Sequence, residues 1–189
     1  MYAKCGKLSE ARNVFDYIPN RNIVSWSALV AGYALYGNLD QIQCCLDEMQ
    51  EHGAKPVDAM FTTILTACSH SGQLREGCQH FQAMIETYDI MPKAEHFNCM
   101  VDIFGRGGQL NKAEDLLQTM PTTPDTIVWT SLLNSSKVYG SVMLGRHCFD
   151  EIFHLDPEDA SGYALMSHVY IASDIYDDAE QFATAEDWV

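Results

Sequence analysis

The 189-residue chain carries 11 Lys and Arg against 26 Asp and Glu, a formal net charge of -15, and 47% of its residues are hydrophobic. That composition excludes a disordered chain, because there is ample apolar material for a core, and the charge excludes a general binder of phosphate backbones. No apolar run approaches the roughly 20 residues of a membrane helix, so a soluble chain without membrane contact is expected.

The seven cysteines are Cys5, Cys44, Cys45, Cys68, Cys78, Cys99 and Cys148. An odd number without a Cys-x-x-Cys pair argues against a disulfide framework and against a zinc knuckle, leaving small buried thiols. The acid is unevenly spread. Residues 126–189 hold eleven Asp or Glu against Lys137 and Arg146. This region suits a protein partner or solubility.

Taken in chain order, the elements form a drifting repeat. The chain opens on "MYAKCGKLSEA", the middle of a unit, so Met1 is not expected to be the natural start and the missing leader carries nothing about localisation. After Gly6 come Leu8, Ala11 and Phe15 on one helical face. Trp26, Leu29, Val30 and Tyr33 then recur at i, i+3, i+4 and i+7, one face of a helix. Gly37 interrupts, and Leu39, Ile42, Leu46 and Met49 mark a second face. The same grammar returns with Phe61, Gly72, Leu74, Gly77 and Phe81, then with Phe97, Gly108, Leu110, Ala113 and Leu117. It returns again with Trp129, Gly140, Val142, Gly145 and Phe149. A last unit has Tyr163, Asp174, Tyr176 and Ala179 at the matching places. The glycine anchors are 31, 35, 36 and 32 residues apart.

Each anchor is expected to be a left-handed turn that ends a first helix, with Asp174 a tolerable stand-in. Small residues at the Ala11, Ala113 and Gly145 places let helices approach closely. Pro-containing loops, "HGAKPV", "YDIMPKA", "MPTTPD" and "LDPEDA", stop the second helices. The expectation is an all-α, right-handed superhelical solenoid of helix–turn–helix repeats, in which stacked hairpins bury a shared core. Trp26, Phe61, Phe97, Trp129 and Tyr163 share the phase of the buried stripe and are expected in that core.

"MYAKCGKLSEARNVFDYIPNRNIVSWSALVAGYA" and "AEHFNCMVDIFGRGGQLNKAEDLLQTMPTTPDTIVWTSLL" resemble pentatricopeptide repeats, the second stretch resembling the C-terminal part of the plant class with alternating long and short units. The resemblance covers about residues 1–180. It implies repeats over 1–125, divided as a partial unit 1–22 and then 23–57, 58–93 and 94–125, followed by divergent extension motifs over 126–189. It also implies an array that reads single-stranded RNA, one base per unit. The fifth and last residues of a unit choose the base, and an apolar residue at the second place wedges between bases. Carried over, these positions are Ser27 with Val57 and the wedge Val24, Thr62 with Lys93 and the wedge Ala59, and Asn98 with Asp125. Val57 cannot hydrogen-bond, Lys93 is outside the usual pairing and is expected to touch phosphate, and Asn98 with Asp125 resembles a pyrimidine pair, uracil first. Glu95 departs from the apolar wedge.

The resemblance further implies C-to-U editing of mitochondrial or plastid transcripts, with the deaminase supplied in trans and docked, with accessory editing factors, on the acidic C-terminal region. A deaminase of that kind needs His-x-Glu and Cys-x-x-Cys; neither occurs in this sequence. No enzymatic motif, metal site, cofactor or DNA partner is expected. Two alternatives stand beside the RNA reading: a tetratricopeptide-like scaffold that binds only proteins, and a truncated product without independent activity.

Overall fold

The computed structural model describes residues 6–175 and 178–179. Tyr176 and the segment beyond Ala179 lie outside the described residues, as does Cys5. Among the described residues there are ten helices and no strand: α1 (Leu8–Asp16), α2 (Ile23–Ala34), α3 (Leu39–Glu51), α4 (Asp58–Ser71), α5 (Leu74–Glu86), α6 (Ala94–Arg106), α7 (Leu110–Gln118), α8 (Thr126–Tyr139), α9 (Val142–Leu155) and α10 (Ala160–Ala172). The chain divides into two compact units, Met1–Ile103 and Phe104–Val189.

The turns follow from backbone sterics. Gly72 ends α4 at φ 68°, ψ 23°, and Gly140 ends α8 at φ 65°, ψ 28°. A β-carbon is disfavoured in that left-handed region. Asp174 holds the equivalent place at φ 60°, as its side chain permits.

In the first unit α2 packs on α3 and on α4, and α4 packs on α5, so first helices neighbour one another as well as their own second helices. In the second unit α8 packs on α9 and α10, and α9 on α10. Packing is tightest at the small-residue places. A β-carbon added at Gly77 would stand 2.8 Å from the Ile103 side chain, and one at Gly145 would stand 3.0 Å from Val169. Ala113 is fully buried.

The recurring aromatics are the seams between hairpins. Trp26 and Phe61 are fully buried and Trp129 is 7% exposed. Phe97 and Tyr163 are only half-buried, less than their phase suggested. Each of these two, and Trp26, meets the edge of a phenylalanine from the preceding second helix. The pairs are Phe15–Trp26 at 4.5 Å, Phe81–Phe97 at 5.7 Å and Phe149–Tyr163 at 5.0 Å between ring centroids. At the two intervening places the preceding second helix offers Leu46 or Leu117 instead, and Phe61 and Trp129 find Tyr88 and His147.

The period is also written in hydrogen bonds. Arg12 Nη2 donates to both Glu48 carboxylate oxygens at 2.9 and 2.8 Å, 36 residues away. Ser69 donates to Asp102, 33 residues on. Tyr139 Oη donates to the Arg106 carbonyl at 2.6 Å, again 33 residues apart. One repeat length separates each pair, which is what stacked equivalent helices require.

Candidate nucleic-acid interface

The last residue of each expected unit falls at the start of a first helix, where backbone N–H groups lack partners and a side-chain acceptor is stabilising. Asn22 accepts from the Ser25 N–H at 3.0 Å and Asp125 from the Val128 N–H at 3.0 Å. Asp159 accepts from the Ser161 N–H at 3.0 Å. Val57 precedes α4 and contributes no cap.

Lys93 also cannot cap, having no acceptor. His96 binds at this start: its Nδ1 accepts the Lys93 N–H at 3.0 Å, and its Nε2 lies 3.0 Å from the Asp58 carbonyl. With Nδ1 accepting, Nε2 is the donor to the Asp58 carbonyl, and the buried ring uses both nitrogens. It ties the start of α6 to the start of α4.

In the first unit, α2, α4 and α6 line one open groove of about 620 Å³. The floor is apolar and small, with Ala31, Ala34 and Ala59. The polar residues that line it are Asp58, Thr62, Thr63, Thr66, His70, Lys93, Glu95 and His96. The Lys93 ammonium bonds the Asp58 carboxylate across one repeat. That bond holds the Asp58 carboxyl below its usual value and the Lys93 ammonium above its own. Among the described residues lining the groove, Lys93 is the sole Lys or Arg, and Asp58 and Glu95 are the carboxylates. The groove therefore offers no excess of positive charge.

Side-chain hydroxyls on α4 divide into two groups. Thr63 donates to the Ala59 carbonyl at 3.0 Å and Thr66 to the Thr62 carbonyl at 2.8 Å. Those hydroxyls are occupied by the helix itself. The Thr62 hydroxyl, which faces the same groove, takes no protein partner among the described residues. Ser27 is likewise unengaged, whereas its neighbour Ser25 bonds the Asn22 carbonyl at 2.8 Å. Asn98 Oδ1 is buried without a partner.

Of the residues expected to touch RNA, the structure brings Ala59, Thr62 and Lys93 into one groove. Val24 is 70% exposed on α2, and neither it nor Ser27, Val57 or Asn98 lines that groove. Asn98 belongs to the first unit and Asp125 to the second. Lys93, expected to reach phosphate, is committed to Asp58. Asp58 and His96 were not singled out from sequence. The signal for the first was available: opposite charges one repeat apart, at 58 and 93.

The chain matches the pentatricopeptide repeat domain over residues 20–70 and the PPR repeat over residues 1–23, 59–87 and 95–122. It is 37% identical over 177 residues to the Arabidopsis thaliana pentatricopeptide repeat-containing protein At4g19191, mitochondrial, a match covering 94% of this chain and 27% of that protein. It is 35% identical over 181 residues to At3g49170, chloroplastic, of the same plant, covering 96% of this chain and 21% of that one. The chain thus spans about a quarter of the length of the curated relatives it matches. The fold is that of the pentatricopeptide repeat protein PPR10 in complex with an 18-nt psaJ RNA element, at TM-score 0.77 and 18% identity over 96% of this chain and 27% of that one.

Proposed function

The chain belongs to the pentatricopeptide repeat family, and we propose that it is a section of an array that binds single-stranded RNA. Its first helices present unspent side chains to successive bases. The observation that carries this reading is the division of hydroxyls on α4. Thr63 and Thr66 serve their own helix, while Thr62, aimed into the groove, is left for a ligand. A side chain kept polar and unpaired beside an apolar floor suits a flat base with a hydrogen-bonding edge. The groove's lack of excess positive charge favours bases over phosphates.

The units read through Ser27, Thr62 and Asn98, with Val57, Lys93 and Asp125 as their second determinants and Val24 and Ala59 as wedges. The organellar setting is proposed from the mitochondrial and chloroplastic relatives. The biological role we propose is positioning a deaminase, supplied in trans, at a cytidine to be converted to uridine. The acidic residues 126–189 would form the partner surface. A protein-only scaffold is the second reading, favoured by the exposed Val138, Met143 and Ile171 of the second unit, at 71%, 88% and 47% exposure.

Fluorescence anisotropy with labelled ten-nucleotide single strands separates the two. The RNA reading expects binding to single-stranded RNA above binding to duplex RNA or DNA of the same sequence, weakened several-fold by Thr62→Val. Equal indifference to all three nucleic acids would support the scaffold.

A further inference from the structure

The groove holds a feature that the unit-by-unit reading does not use. Asp58, the first residue of α4, and Lys93, one repeat later, put a carboxylate and an ammonium side by side at its edge. Both are accessible, with side chains 36% and 62% exposed. Asp58 Oδ1 also accepts the Ala59 N–H at 2.8 Å, and Oδ2 bonds Lys93. Each oxygen keeps further acceptor capacity, and the ammonium keeps donors beyond the one spent on Asp58.

A touching donor and acceptor are the complement of a base edge. On the Watson–Crick edge guanine presents an acceptor, O6, next to two donors, N1–H and the N2 amine. The other bases do not set two adjacent donors beside an acceptor. We propose that Asp58 and Lys93 together form a guanine-selective slot in the RNA groove, Lys93 donating to O6 and Asp58 accepting from N1–H and the N2 amine. This rests on the RNA reading above and names the base that this groove prefers.

Three facts support the assignment. The pair is built into the fold, because His96 clamps the Lys93 backbone to the Asp58 carbonyl and so fixes the two chain segments together. The lowered Asp58 value keeps the carboxylate ionised and hence a pure acceptor. The small floor residue Ala59 and the free Thr62 hydroxyl lie in the same groove. A site built to bond a polar edge rejects bases that leave its groups unpaired.

The test uses the full chain and uridine ten-mers carrying one guanosine, inosine, adenosine or cytidine, so that the single base can slide into the slot. The guanosine oligomer should bind about tenfold tighter than the adenosine or cytidine oligomer. Inosine, which lacks only the N2 amine, should fall between. Asp58→Asn and Lys93→Met, each checked for retained helicity, should bring the guanosine oligomer to the affinity of the adenosine and cytidine oligomers. Equal affinity for all substituted oligomers would overturn the slot and leave RNA binding standing. So would an Asp58→Asn variant that binds every oligomer more tightly with a steeper salt dependence, since the pair would then only screen Lys93 from phosphate. If no oligomer binds at all, the RNA reading fails and the slot with it.

Discussion

The two compact units use one hairpin plan and differ in how regularly the residue before each first helix caps it. In the second unit Asp125 and Asp159 cap α8 and α10 with their carboxylates. In the first unit Asn22 caps α2 with its side-chain oxygen, whereas Val57 and Lys93 cap nothing, and the N–H of Lys93 itself is accepted by His96. The place that chooses a base by family resemblance is also a structural position, and one side chain serves both demands. Lys93 does not cap its helix, and its side chain instead meets Asp58 at the groove.

Substitutions can break this comparison in order of size. The largest effect tests what the units share. Phe61→Ala in the first unit and Trp129→Ala in the second should each cost about 3–5 kcal/mol in urea unfolding, since both rings are buried between hairpins. Next comes the turn. Gly72→Ala should cost about 1–2 kcal/mol although no atom lies within 4 Å of the added carbon. Gly72→Asn should cost less, because Asn tolerates that backbone region. Equal losses for Ala and Asn would mean that φ is not the cause.

The capping contrast is sharper and smaller. Asp125→Ala should lower stability by about 1 kcal/mol. Lys93→Ala should change it far less than Asp125→Ala does, as an exposed ion pair contributes little. His96→Leu, which removes the acceptor of the Lys93 N–H and the bond to the Asp58 carbonyl, should cost more than Lys93→Ala. If Lys93→Ala proved as damaging as Asp125→Ala, the two starts would not differ as described.

Titration separates hairpins at one register position. Eight residues after the anchor, the hairpin of Gly72 has the buried His80, whereas those of Gly37 and Gly140 have the buried Cys45 and Cys148. Burial holds His80 below 6.5, so the unfolded chain takes up its proton first. Stability contributed there is full above pH 6.5 and falls as pH drops below it. Burial pushes the Cys148 thiol up to about 12 from 9.0, so stability falls as pH rises past about 9. Urea midpoints at pH 7.5 and 5.5 should therefore differ for the parent chain and converge for His80→Leu. Asp58 and Glu76, both held low, lose their contribution only at pH below about 4.5, outside this window.

The repeat was legible because its cause is local: a glycine turn, a 3–4 spacing and a closing proline each leave a mark within one unit. Gly72, Gly140 and even Asp174 adopt the expected left-handed backbone. The half-exposure of Phe97 and Tyr163 was not legible, since it depends on how far each ring slides over its phenylalanine partner. The candidate site was read in part. Thr62, Ala59 and Lys93 share a groove, but the fate of the Lys93 ammonium depends on Asp58, 35 residues away. His96 has two bonds, to Lys93 and Asp58, that only the folded stack brings together. Pair contacts one repeat apart need the register of the stack, which a single unit does not contain.

The central claim is that the first-helix groove of the leading unit receives bases. Amide shifts in a ¹⁵N-labelled chain, followed during addition of a uridine ten-mer containing one guanosine, test it residue by residue. The account predicts shifts concentrated at Ala59, Thr62 and Lys93 and little change at Gln43, Cys44 and Gln82 on the second helices. Shifts centred on α3 and α5 with Thr62 unmoved would contradict it.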